Sequence, residues 1–413
     1  MRYLVRLMCV LALGVMGCSE TAATDGGGFV WCEMNLGSWE AAAVSFPDPL
    51  IGTYVGGIYR TTNGGLTWTS QEGPDEYGTY ADVVFTDVDT GVIVGPTGTI
   101  LRTTDGGENW IVQNSGTSAD LFGVAFADAN HGIVVGASGT IVRTTDGGST
   151  WVSQESGTDV ELRGVWVTSV NTATAAGVQG TILRTNDGGA TWVSQESGTD
   201  AQLNAVSFGS GTSGVVVAED GTILRTTNGG AGWATADDLS PIALNDVWFA
   251  NESVGTVVGD SGTILRTTDG GASWVPEIND AVYYHWDETL EDPIRVDKNI
   301  EGVSMPDAEH GFAVGEKYCV LRRTTVDDKY EICDTFCERM EECYPGQEEG
   351  CKIDCLCELR YTYNISEQCE FAYAEMWMCF LELTCEEFEA FYDDPYNHVC
   401  TAAALRVDMV CGW

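Results

Sequence analysis

Short runs of alternating or apolar residues follow one another along most of the chain, and turn residues cut them at regular intervals. Residues 121–145, LFGVAFADANHGIVVGASGTIVRTT, show the unit: three such runs, interrupted at 128–132 and at 136–139. A fourth run follows at Trp151-Val152-Ser153-Gln154. Between the third and the fourth stands a polar core that recurs as RTTNGGLTW at Arg60, RTTDGGENW at Arg102, RTTDGGSTW at Arg143, RTNDGGATW at Arg184, RTTNGGAGW at Arg225 and RTTDGGASW at Arg266. The copies lie 42, 41, 41, 41 and 41 residues apart. Four strands in each ~40 residues, repeated, predict the blades of a β-propeller.

Phe46, Phe85, Phe126, Val167, Phe208, Phe249 and Met305 mark the first strand of each unit and set the number of blades at seven. The seventh, EGVSMPDAEHGFAVGEKYCVLRRTT, supplies three strands and then loses the turn core. TDGGGFVWCEMN near the N-terminus looks like a displaced copy of the core, so 29–35 is expected to be the outer strand of blade seven, which leaves the ring without an open edge. Cys32 in that strand and Cys319 in its neighbour would then form a disulfide across the closure. The expected fold class is an all-β seven-bladed propeller at 29–328, closed by an N-terminal strand, with a small disulfide-rich α-helical domain at 329–413.

The core resembles the Asp-box, or BNR, repeat, and with its leading Arg it is most similar to photosystem II stability and assembly factor-like propellers. In such repeats the Asp or Asn caps a turn, the Gly pair takes positive φ and the Trp fills space between strands. The resemblance makes Asn63, Asp105, Asp146, Asp187, Asn228 and Asp269 structural. It also implies that the matching arginines, Arg60, Arg102, Arg143, Arg184, Arg225 and Arg266, form a partner-binding patch, with Arg322 or Arg323 as a seventh member. Six of the 12 cationic residues between 19 and 328 are these repeat arginines, and equal strand positions in successive blades place them in an arc. A basic arc suits an acidic or carboxylate-ending peptide. The competing reading ties each guanidinium to a turn of its own blade or to a neighbour's carbonyl.

Composition narrows the function. Asp plus Glu number 62 against 19 Lys plus Arg, a net charge of -43. So negative a surface cannot release counterions from phosphates, which excludes nucleic acid and disfavours anionic lipid. Glycosidase chemistry of the sialidase kind needs an arginine triad, a nucleophilic Tyr and an acid, and the turn core supplies none of them. His131 and His310 occupy the same turn of their blades, while His285 and His398 stand outside the repeat, so no His-dependent hydrolase or metal site is expected and no cofactor is implied. Asp87-Val88-Asp89-Thr90-Gly91 lacks a distal bidentate acid and reads as a plain turn rather than a calcium loop.

Arg266 precedes Val303 by 37 residues, whereas Arg102, Arg143, Arg184 and Arg225 each precede the next blade's Val by 22, which leaves a 15-residue insertion carrying Tyr283, Tyr284, His285 and Trp286. Departures from a repeat are places where specificity is grafted, so Tyr283, Tyr284 and Trp286 join the candidate partner-binding residues.

The first residues form a signal peptide over 1–17: Arg2 and Arg6 precede an apolar run too short to span a bilayer. Val15-Met16-Gly17-Cys18 resembles the lipobox of bacterial lipoproteins, which implies lipidation at Cys18, a tether over 18–28 and, by the Ser19 that follows, an outer-membrane address on the periplasmic or cell-surface face. After residue 328 come 11 cysteines in an acidic segment of net charge -14, a density that predicts disulfides in an oxidising compartment. There Cys333-x3-Cys337 and Cys351-x3-Cys355 resemble a twin CX3C helical hairpin, which offers Cys333, Cys355, Cys337 and Cys351 as bonded cysteines. The expectation is a non-enzymatic, lipid-anchored propeller that recognises or assembles an envelope protein or peptide. The alternative is an Asp-box glycoside hydrolase or carbohydrate-binding protein.

Overall fold

The computed structural model describes residues 29–33, 41–65, 67–74, 79–236, 242–277, 282–285, 294–316 and 319–325. The chain forms two compact units, Leu36–Arg323 and the two ends Met1–Asn35 with Thr324–Trp413. The expected signal peptide, tether and cysteine-rich domain fall outside the described residues, as do Cys18, Trp286, Cys333, Cys337, Cys351 and Cys355.

The described strands make seven four-stranded sheets and one two-stranded sheet. Blade three shows the pattern: Leu121–Phe126, Gly132–Gly136, Ile141–Thr144 and Val152–Gln154 pair antiparallel in chain order. The first strands of the seven blades are Ala43–Asp48, Asp82–Phe85, Leu121–Phe126, Leu162–Ser169, Leu203–Phe208, Leu244–Phe249 and Ile300–Ser304. Each packs against the next, and Ile300–Ser304 packs against Ala43–Asp48, so the ring of first strands closes within the unit Leu36–Arg323. In the seventh blade Ile300–Ser304, Gly311–Gly315 and Val320–Thr325 pair antiparallel in chain order. Cys319 is buried just before Val320–Thr325; Cys32 lies in Phe29–Glu33, whose side chains are outside the description.

Hydrophobic burial explains why the second and third strands read as apolar runs. Each is covered by neighbours on both faces, so Ile133, Val134, Val135, Ile141 and Val142 are all buried, and clusters such as Ile133, Val135, Leu162, Val165 and Leu183 join blade three to blade four. A second device repeats within blades. In blade three the Phe126 ring lies over Gly132, its cross-strand partner, where a Cβ would come within 2.7 Å of the ring. Phe85 over Gly91, Phe208 over Gly214 and Phe249 over Gly255 are alike. Blade four departs on both sides of the pair at once, with Val167 opposite Ala173. Between the second and third strands the chain reverses through a left-handed pair, Ser138 at φ 55° and Gly139 at φ 66°, and a Cβ on Gly139 would meet Thr158 O at 2.0 Å. The 15-residue insertion contributes the two-stranded sheet, Val282–His285 paired with Ile294–Asp297, which puts Tyr283 opposite Val296 and Tyr284 opposite Arg295.

Candidate functional site

The turn cores are built alike in the described blades. In blade three Thr144 Oγ1 donates to Asp146 Oδ1 at 2.8 Å and accepts from the Gly148 amide at 2.9 Å, while Asp146 Oδ1 accepts from the Thr150 amide at 2.9 Å. Gly147 and Gly148 stand at φ 69° and 83°, and Trp151 packs edge-on to Phe126 at 6.2 Å. Asn63, Asp105, Asp187, Asn228 and Asp269 make the matching bonds. Side-chain and then amide hydrogen bonds, from Thr191 to Asp187 and from Ser273 to Asp269, hold both carboxyls down at about 2. The buried threonine hydroxyl is the pivot of each turn, at Thr61, Thr103, Thr144, Thr185, Thr226 and Thr267. The sequence reading gave this threonine no role, although its constancy in all six copies was visible.

The six repeat arginines are half-buried and reach forward to the next blade. Arg102 Nε donates to Gly147 O, Arg184 Nε to Gly229 O and Arg225 Nε to Gly270 O, at 2.6, 2.6 and 2.7 Å. Each acceptor is the first glycine of the following turn core. Arg60 donates to Val88 O and lies 5.0 Å over the Phe85 ring. Arg266 Nη2 donates to Ala308 O at 2.7 Å, and its Nε is 3.7 Å from Glu277. Arg143 packs across Gly188 and Gly189 with no hydrogen bond among the described residues. Burial lowers the pKa of Arg60 and of Arg266.

Register settles the seventh member: Arg322 pairs with Phe312 as Arg143 pairs with Ile133, and the Arg322 guanidinium lies beside Gly64. Arg323 is buried instead and bonds Glu277 at 3.1 Å and Glu309 O at 2.9 Å. The residues of the first turn serve the turn itself: Asp87, Asp128, Ser169, Ser210 and Asn251 accept from amides two and three residues on. His131 and His310 bond the turn aspartates Asp128 and Asp307 at 2.9 and 2.8 Å.

The first strands enclose a central cavity of about 1000 Å³. Sequence reasoning passed over its wall, because there the blades cease to be copies. Asp82 and Asp246 face it, each placed where blades one, three, four, five and seven carry Ala43, Gly123, Gly164, Ala205 and Gly302. Asp82 accepts from the amides of Val83 and Val124, and Asp246 from those of Val247 and Val303, so each carboxylate bridges two blades. Burial raises both to about 7, against the lowering by these amides, and the charge of Asp82 adds to the rise at Asp246.

A family model described as photosynthesis system II assembly factor YCF48 matches residues 109–175. The photosystem II assembly lipoprotein Ycf48 of Synechococcus sp. (strain CC9902) is 33% identical over 110 residues, covering 25% of this chain and 33% of that protein. The chain therefore spans about a third of the length of that relative. A solved YCF48 bound to D1 peptide has a TM-score of 0.57 and 20% identity, covering 73% of this chain and 96% of that one. YCF48 from Cyanidioschyzon merolae gives 0.57 and 20%, over 71% and 98%. A streptogramin B lyase gives 0.59 and 12%, over 71% and 97%, so the fold alone serves more than one function. With its turn cores and its seven blades, this chain forms a β-propeller whose repeat is similar, over residues 109–175, to that of the photosystem II assembly factors.

Proposed function

We propose that the protein is a non-enzymatic assembly or recognition factor, lipid-anchored through Cys18 at the bacterial outer membrane, that holds a carboxylate-bearing envelope protein or peptide against its arginine series. The observation that carries the reading is the state of the guanidinium groups. Arg102, Arg184 and Arg225 spend Nε on the next blade, and among the described residues their terminal nitrogens make no further hydrogen bond. A guanidinium oriented by one fixed bond presents a fork suited to a carboxylate, and repetition at equal register sets several such forks in series. In a chain of net charge -43 this is the place where an acidic segment meets attraction. Two similar proteins support the reading: a solved YCF48 is bound to D1 peptide, and the Synechococcus relative is a photosystem II assembly lipoprotein. Tyr283, Tyr284 and Trp286 of the insertion are proposed as further partner contacts.

The test is capture of partners by the full lipoprotein from its own envelope, comparing the native chain with Arg143→Gln. Arg143 holds no carbonyl among the described residues, so its loss should leave melting unchanged and reduce capture. Equal capture by a folded Arg102→Gln/Arg143→Gln/Arg184→Gln variant would refute the reading. Cys18→Ala should abolish incorporation of labelled palmitate and release the protein from membranes.

A further inference from the structure

The six turn cores are near-identical, yet the wall of the central cavity is not. At the position of Asp82 and Asp246 the other five blades manage with Gly or Ala, so the fold itself does not require a carboxylate there. Two residues further along the same strands, Trp166 and Trp248 stand where other blades carry Ser45, Val84, Ala125, Ser207 and Ser304. Their rings meet edge to face at 5.4 Å, and Trp248 Nε1 is anchored on Met305 O at 3.1 Å. Both tryptophans and both aspartates line the one cavity, and they break the repeat where a ligand would be read rather than where the ring is held together.

The charge of this wall is one-sided. Asp82 and Asp246 bond backbone amides, and among the described residues neither is paired with a cationic side chain. Glu219 and Glu316 add further carboxylates to the lining. Arg163 is the cation of the lining, but it is bound to Glu161 at 2.8 Å and lies 5.7 Å over the Phe122 ring. We infer that the central cavity is a binding site for a small organic cation with an apolar body, its ammonium group taken by Asp82 and Asp246 and its apolar part by Trp166 and Trp248. Two desolvated carboxylates without a counter-ion among the described residues favour a cation over a neutral guest, and indole faces attract the same charge while covering apolar surface. A cavity of about 1000 Å³ is at the upper end of small-molecule sites, so the guest is a molecule and not a bare ion. The site lies on the ring axis and is independent of the arginine series.

Calorimetric titration of the full lipoprotein with phenethylammonium, and with the neutral 2-phenylethanol of similar shape, tests this. Saturable one-to-one binding of the ammonium is expected, about tenfold or more tighter than the alcohol, a difference of roughly 1.4 kcal/mol. Asp82→Ala/Asp246→Ala introduces residues that blades one and five already carry, and it should remove the preference for the ammonium while leaving alcohol binding unchanged. Trp166→Ser/Trp248→Ser should weaken both probes. Equal affinity for the two probes on the native chain, absence of saturable binding in the millimolar range, or undiminished ammonium binding by the double aspartate variant would overturn the inference. The comparison of probes on the native chain decides it should either variant fail to fold.

Discussion

The amide of Phe46 donates to Ser304 Oγ at 3.0 Å, a bond between residues 258 positions apart that joins the first blade to the last. The same bond links Phe85 to Ser45 and Phe249 to Ser207, at 3.0 and 3.1 Å. Ring closure therefore uses a contact already employed between blades adjacent in sequence. Ser304→Ala leaves the Phe46 amide buried without this acceptor and should cost about 1–3 kcal/mol. Urea unfolding should give losses of similar size for Ser45→Ala and Ser207→Ala; a negligible loss for Ser304→Ala would show that closure does not depend on it.

Blade four already contains the double replacement that blade three can be asked to make. Gly132→Ala would push a Cβ into the Phe126 ring and should destabilise by about 1–3 kcal/mol. Phe126→Val removes the ring, as Val167 does opposite Ala173. The double variant should be more stable than the sum of the two single losses predicts. A double-mutant cycle checks this, and strict additivity would contradict it.

Asp82 and Asp246 give stability a pH dependence of definite sign. Their folded pKa of about 7 lies above the ordinary aspartate value near ~4, so the native state keeps protons that the unfolded chain has released. The contribution is full below about pH 4, declines as pH rises to about 7, and is flat above that, with a slope of at most roughly 1.4 kcal/mol per pH unit for each group. The pair feels each other's charge, so the titration belongs to both together. The turn-core carboxyls Asp187 and Asp269, held at about 2, act in the opposite sense: their contribution is present above about pH 4 and is lost as pH falls through 2. Denaturant unfolding at several pH values should show the native chain losing stability, relative to Asp82→Ala/Asp246→Ala, between about pH 4 and 7. A pH-independent difference would refute the assignment.

Arg184 tests the clamp separately from partner binding. Arg184→Lys keeps the charge but loses the planar Nε donor to Gly229 O, and should cost about 1 kcal/mol in thermal or urea unfolding. Arg143→Lys should cost less, since it surrenders no such bond. Equal losses at the two sites would show that the carbonyl contact contributes little.

The sequence by itself determined the number of blades, the first-strand markers and the turn cores, because each blade uses short-range rules. Alternation sets which residues face inward, and Thr, Asp and Gly close the turn among themselves within five residues, as in Thr144 to Gly148. Tertiary structure alone decided what spans blades. The partner of Arg102 is a carbonyl 45 residues away, Arg322 rather than Arg323 joins the series, and Asp82 meets Val124 only when two first strands converge. Likewise Trp166 and Trp248 are 82 residues apart in the chain and touch at the wall of the central cavity. Repeat periodicity fixes each residue's place within its own blade, whereas contacts around a closed ring depend on how seven copies are arranged about an axis, which no local pattern encodes.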